Sequence, residues 1–90
     1  MGKASDEAKE LAKFIRLDLK NKVKENILPD IKYQVKVIVK TNHTKVRIYY
    51  DIKNIDPSNR IKFYEKLALL YENKYGSAWV NEIIIDVRSN

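Results

Sequence analysis

Residues 31–53 read IKYQVKVIVKTNHTKVRIYYDIK, and their alternation decides the fold. In residues 31–40 the odd positions are Ile31, Tyr33, Val35, Val37 and Val39, and the even positions are Lys32, Gln34, Lys36, Ile38 and Lys40. In residues 45–53 the parity is reversed: Val46, Ile48, Tyr50 and Ile52 are apolar, while Lys45, Arg47, Tyr49, Asp51 and Lys53 lie between them. A period of two marks two half-buried strands. Thr41-Asn42-His43-Thr44 joins them, and asparagine tolerates positive φ, so a two-residue Asn42-His43 turn is expected. That turn pairs Val39 with Val46, Val37 with Ile48, Val35 with Tyr50 and Tyr33 with Ile52. All apolar partners then share one face, which a slip of one residue would destroy.

Working outward, residues 5–27 predict a helix, with Ser5 as N-cap, Asp6 and Glu7 at the positive end of its dipole, and Pro29 as its stop. Ala8, Leu11, Ala12, Ile15, Leu19 and Val23 form one apolar stripe. Beyond the hairpin, Asp56-Pro57-Ser58 opens a second helix, with Asp56 as cap and Pro57 at the first helical position. Its apolar face is Ile61, Phe63, Tyr64, Leu67, Ala68, Leu70, Tyr71 and Tyr75, and Gly76 is its expected C-terminal cap. Trp79 is expected in the core. Residues 79–87 read as a last strand, with Ile83, Ile85 and Val87 on one face and Glu82, Ile84 and Asp86 on the other. The expected fold is one α+β domain spanning residues 1–90, in the order α-β-β-α-β. A right-handed crossover would place strand three beside strand one, giving a three-stranded antiparallel sheet of order 2-1-3 with both helices packed on one face.

Composition narrows the function. The 90 residues carry 18 Lys and Arg against 12 Asp and Glu, a net charge of +6. No cysteine is present, which excludes disulfides and thiolate zinc sites, and the single His43 cannot build a histidine metal site. Two glycines exclude a Walker loop and a glycine-rich dinucleotide loop. His43 at a turn tip is a poor catalytic base, and Glu82 and Asp86 beside a lysine-rich strand suit salt bridges better than acid–base work. No enzyme, cofactor or metal is expected. No apolar run is long enough to span a membrane, and Met1-Gly2-Lys3-Ala4-Ser5-Asp6-Glu7 does not read as a signal peptide. Abundant Lys, Ile, Asn and Tyr, which AT-rich codons encode, point to an AT-rich genome or mobile element.

The informative feature is the face left open when the valines are buried. It gathers Lys32, Lys36, Lys40, Lys45, Arg47 and Lys53 around Tyr49, with Asp51 as the one acid of those two strands. Cations neutralise phosphates and a ring can stack on a base, so this face suits nucleic acid or a host nucleoprotein complex. A merely solvated, lysine-guarded face is the alternative. The first helix offers a secondary basic face in Lys9, Lys13, Arg16, Lys20 and Lys24, which share one side of the wheel. Phe14 and Leu17 lie off its core stripe, as a contact under a loop, or an exposed contact for a protein partner or a second copy.

Residues 11–37 carry Ile15-Arg16 and Leu19-Lys20 on the helix, then Pro29, then Lys32-Tyr33-Gln34-Val35 opening the strand. This arrangement resembles a domain family of the large polyvalent proteins of phages and conjugative elements: an Ile-Arg-x-x-Leu-Lys helix leading through a proline to a Lys-aromatic-Ser-Val strand. Gln34 stands where that pattern has serine, and Ile52-Lys53 follows Asp51 where it has Gly-Pro. The resemblance implies a mobile-element origin, with Arg16, Lys20 and Lys32 as the matched positions to test.

Two readings follow. One is a small, non-enzymatic phage or mobile-element protein, in the host cytoplasm, that blocks a host nucleoprotein machine in the manner of an anti-CRISPR inhibitor through its basic surface. The other is a basic RNA- or DNA-binding module.

Overall fold

The computed structural model describes residues 3–40, 43–72 and 83–90. Helix α1 (Lys3–Lys24) is followed by strands β1 (Tyr33–Val39) and β2 (Thr44–Tyr50). Two 3-10 turns (Ile52–Asn54 and Pro57–Asn59), helix α2 (Arg60–Tyr71) and strand β3 (Ile83–Ser89) complete the chain. The element order and α+β class are those the sequence predicts.

The sheet corrects the expected topology. Its order is β1-β2-β3, with β1–β2 antiparallel and β2–β3 parallel, so it is mixed, not antiparallel with order 2-1-3. Both orders send β3 in the same direction as β2. They differ in whether the crossover through α2 skips a strand or lands on the neighbouring one, and here it lands on the neighbour, as the simplest βαβ connection does. Burial accords with β2 at the centre. Every β2 residue is buried or half-buried, whereas Gln34, Lys36 and Val39 of β1 and Arg88 and Ser89 of β3 are exposed.

The hairpin register is also corrected, by two residues. Val39 pairs with Thr44, Val37 with Val46, Val35 with Ile48 and Tyr33 with Tyr50. The Lys40 N–H donates to the His43 carbonyl at 2.8 Å, so His43 pairs across the hairpin and is not a residue of an Asn42-His43 turn; positions 41 and 42 lie outside the described residues. A shift of two preserves every face, because strand parity repeats with period two. Thr44 thereby joins β2 and is buried, and Ile52 leaves the ladder. The Asp51 carboxylate accepts from the Lys53 N–H at 2.9 Å and turns the chain into the first 3-10 turn.

Helix α1 begins at Lys3, so Ser5 lies inside its first turn and does not cap it. Its end is set before Pro29 by Asn26, which has φ 62°. The Asn26 N–H donates to the Val23 carbonyl at 3.1 Å and the Ile27 N–H to Lys22 at 2.8 Å, a Schellman arrangement with asparagine in the left-handed position. Asp56 caps as expected, accepting from the Ser58 N–H at 3.3 Å, but what it opens is the 3-10 turn that runs into α2. Helix α2 stops at Tyr71, where Glu72 turns extended and its carboxylate accepts from the Val87 N–H at 3.2 Å. Tyr75, Gly76, Trp79 and Glu82 lie outside the described residues.

One cluster of buried side chains joins all the elements. Ala8, Ala12, Ile15 and Leu19 of α1 meet Val35, Val46, Ile48 and Tyr50, and Phe63, Leu67 and Tyr71 of α2 meet Ile83, Ile85 and Val87. Both helices therefore cover the same sheet face, α1 over β1 and β2 and α2 over β3. The Tyr50 and Phe63 rings meet edge-on, with centroids 5.0 Å apart. The Tyr71 hydroxyl donates to the Asp18 carboxylate at 2.7 Å, tying the helices together. Ile61, Tyr64 and Leu69, by contrast, are exposed, so the buried face of α2 is narrower than its composition suggests.

Ile48 is fully buried on the central strand, and Lys36 is exposed on the opposite face of its neighbour. Ile48→Asp is expected to abolish the cooperative unfolding transition, since it buries an unpaired charge. Lys36→Asp should keep that transition, and circular dichroism melts of the two variants check the face assignment. At the end of α1, Asn26→Val should lower stability by about 1 kcal/mol and Asn26→Gly should not, as read by urea unfolding.

Candidate polyanion-binding surface

The open face of the sheet is built in three rows across the strands. Gln34, Tyr49 and Arg88 form one row, Lys36, Arg47 and Asp86 the next, and Ile38, Lys45 and Ile84 the third. Alternation places these side chains opposite the core. The central strand thus carries Tyr49 into the middle of the face. The Lys36 ammonium lies 5.7 Å from the Tyr49 ring centre and the Arg47 guanidinium 6.0 Å. The Arg47 Nη1 donates to the Tyr49 hydroxyl at 3.5 Å. That hydrogen bond, with the positive charges of Arg47, Lys36 and Arg88, holds the phenol below its ordinary pKa.

Arg47 is not the free cation that the sequence suggests. Its Nε and Nη2 donate to the two oxygens of Asp86 at 3.0 and 3.1 Å, a bidentate pair directly across β2 and β3. Its side chain keeps only 13% of its exposure, and Lys45 adds a second contact to Asp86 at 3.6 Å. Burial alone would raise the Asp86 carboxyl. The Arg47 hydrogen bonds, with the charges of Arg47, Lys45 and Arg88, outweigh it and hold the group below its ordinary value. The same pairing raises Arg47.

The other expected residues divide. Lys36, Lys45, Arg47 and Tyr49 share the open face within the strands. Lys32 and Lys40 flank β1 at its two ends and are exposed. Lys53 does not join them: with Ile52 out of the ladder, it sits in the first 3-10 turn. Lys36 is the partner of Arg47, not of Tyr49, whose partner is Gln34. Arg88 is the residue the sequence reading missed. Carrying the parity of Ile84 and Asp86 forward by one step would have found it.

On the helix, Lys9, Lys13, Arg16, Lys20 and Lys24 are all exposed. Three of them, Lys13, Arg16 and Lys20, line a groove of about 620 Å³ between α1 and β1. Leu17, 59% exposed, lines the same groove, whereas Phe14, 49% exposed, does not. The Arg16 Nη2 reaches the Val35 carbonyl at 2.8 Å. Tyr33 lines the groove and donates its hydroxyl to the Pro29 carbonyl at 2.9 Å. Burial, with the nearby Asp30 charge, pushes its phenol up to about 12. Of the residues that carry the phage-family resemblance, Ile15 and Leu19 are buried, Arg16 and Lys20 stand at the groove, and Lys32 is exposed beside it.

No described helix is long and apolar enough to cross a membrane. Comparison with protein-family patterns, curated proteins and solved structures gives no match.

Because the folded Asp86 carboxyl titrates below its unfolded value of ~3.9, its pairing contributes fully above that pH. The contribution is lost as pH falls through the folded pKa. Asp86→Asn should therefore lower stability at neutral pH by on the order of 1 kcal/mol, kept small by solvent screening, and should flatten the acid limb of the stability curve. Urea unfolding at pH 7 and at about pH 2.5 measures both effects. Arg47→Glu, which sets two carboxylates together, should lower the melting temperature more than Lys36→Glu.

Proposed function

We propose that this chain is a non-enzymatic binding module that takes single-stranded nucleic acid on the open face of its sheet. The observation that carries the reading is the Tyr49 ring on the central strand, with Lys36 and Arg47 at 5.7 and 6.0 Å and the charge of Arg88 beside it. A flat face with a ring amid cations lets a base stack while phosphates are neutralised around it, without demanding a particular sequence. The Arg47–Asp86 pair holds the ring's surroundings in place, leaving Lys36, Lys40 and Arg88 to meet the backbone. The narrower form is a phage or mobile-element inhibitor, acting in the host cytoplasm, that seats this face on the nucleic acid of a host nucleoprotein machine. The resemblance over residues 11–37 supports that form.

Fluorescence anisotropy of a labelled single-stranded oligonucleotide tests the reading. Binding should weaken steeply between low and physiological salt, because each phosphate contact releases counterions. Lys36→Glu with Arg88→Glu should abolish it with the fold intact. Tyr49→Ala should weaken it roughly ten- to hundredfold, the worth of one stacked base. A salt-independent affinity, or undiminished binding in the double variant, would remove the sheet face from the function.

A further inference from the structure

The second basic surface differs in kind from the first. Among the described residues β1 is an edge strand, with β2 on its inner side and no strand on its outer side. The bonded pairs that flank the hairpin ladder, Lys40 with His43 and Lys32 with Asp51, fix its phase. In an antiparallel ladder such pairs alternate, so the even residues of β1 bond to β2, and Tyr33, Val35, Val37 and Val39 point their N–H and C=O groups outward. One of these outward groups shows what the edge accepts: the Val35 carbonyl takes an N–H donor from Arg16 at 2.8 Å. The guanidinium supplies the kind of donor that an added strand would supply.

The groove beside this edge has a rim of Lys13, Arg16 and Lys20 and an aliphatic lining of Leu17, Val23 and Ile31, with Asp30 as the single acid among its lining residues. Three cations against one carboxylate favour an anionic occupant. The aliphatic lining and the row of outward backbone groups favour a peptide over a nucleic acid, which has no use for a strand edge; the one ring of the lining, Tyr33, is tied by its hydroxyl to the Pro29 carbonyl.

We propose that the groove between α1 and the outer edge of β1 takes an acidic, extended peptide segment of a partner protein, which adds to the sheet as a fourth strand. Backbone hydrogen bonds to the odd residues of β1 supply its hold. Apolar side chains of the segment lie against Leu17, Val23 and Ile31, and its carboxylates meet Lys13, Lys20 and an Arg16 released from the Val35 carbonyl. This site is separate from the open sheet face and stands or falls independently of nucleic-acid binding.

The probe is an acetylated, amidated seven-residue peptide of alternating glutamate and valine, titrated into the full chain. Saturation should slow amide hydrogen exchange at Tyr33, Val35 and Val37 by tenfold or more. Methylating alternate backbone nitrogens of the peptide should abolish binding, since it removes the ladder donors while keeping every charge. Lys20→Glu should weaken binding at least tenfold. Lys62→Glu, the same charge change on α2, should alter it less than twofold, and matching melting temperatures of the two variants show that folding is not the cause. Equal binding by the methylated peptide would overturn the proposal, as would no binding up to ~1 mM. A single-stranded oligonucleotide that displaces the peptide and protects the same three amides would assign the groove to nucleic acid instead.

Discussion

The fold depends on β2 being paired on both sides. Thr44, Val46, Ile48 and Tyr50 are all buried beneath the helices, and each sits in a row with a residue of β1 and a residue of β3. Val46 lies between Val37 and Ile85, and Ile48 between Val35 and Val87. Each row is a cross-strand apolar contact on the core side. Without β3, the inner residues of β2 would lose one flank and α2 would have no strand to cover. Without β1, α1 would lose most of the surface its stripe of Ala8, Ala12, Ile15 and Leu19 packs on. The Tyr71 hydroxyl on Asp18 ties one helix to the other, and the central strand, paired with both neighbours, joins the sheet surfaces that the two helices cover.

The same strand arranges the charge. Its outward side holds Lys45, Arg47 and Tyr49, and pairing with β3 sets Asp86 against the first two. That carboxylate fixes the geometry of a face that would otherwise be a row of repelling cations. The cost is that Arg47 becomes part of the scaffold. The exposed cations of this face are those at the margins: Lys36 on β1, Arg88 on β3, and Lys40 beyond the strand end. Tyr49 sits between them because it lies on the central strand, with Gln34 as its β1 partner and Arg88 as its β3 partner, and it is half-buried.

How much of this was legible in the sequence follows from which physical rules have a period. Face assignment obeys strand parity, so Val35, Val46, Ile48, Ile83, Ile85 and Val87 were all placed on the core side from alternation alone. Register does not obey it, because a slip of two residues leaves parity unchanged. The capping carboxylate of Asp51 and the burial of Thr44 chose between the two registers, and neither shows in a hydrophobic pattern. Strand order was hidden for a similar reason: both orders give β3 the same direction, and only the absence of exposed residues on β2 marks it as central. The helix ends were legible by residue type but not by position, since Asn26 adopts the left-handed turn three residues before Pro29 can act. Within the site, the exposure of Lys32, Lys36 and Lys40 could be read, while the covering of Arg47 by Asp86 needed the strand order that the sequence left open.

The two basic surfaces lie on either side of one strand, and this bears on how they would act together. Lys36 stands on the open face of β1, while Arg16 reaches the Val35 carbonyl on its outer edge. Positions 35 and 36 are adjacent, so a polyanion along the sheet face and an acidic strand along the edge would approach within a few ångströms of each other. Two anionic partners at that spacing repel unless the intervening cations are shared, at a range well inside the Debye length of ~8 Å at physiological salt. Joint occupancy would therefore be anticooperative at low salt and independent at high salt. By reciprocity of linkage, an acidic segment on the edge would weaken nucleic-acid binding on the face by the same factor with which nucleic acid weakens the segment.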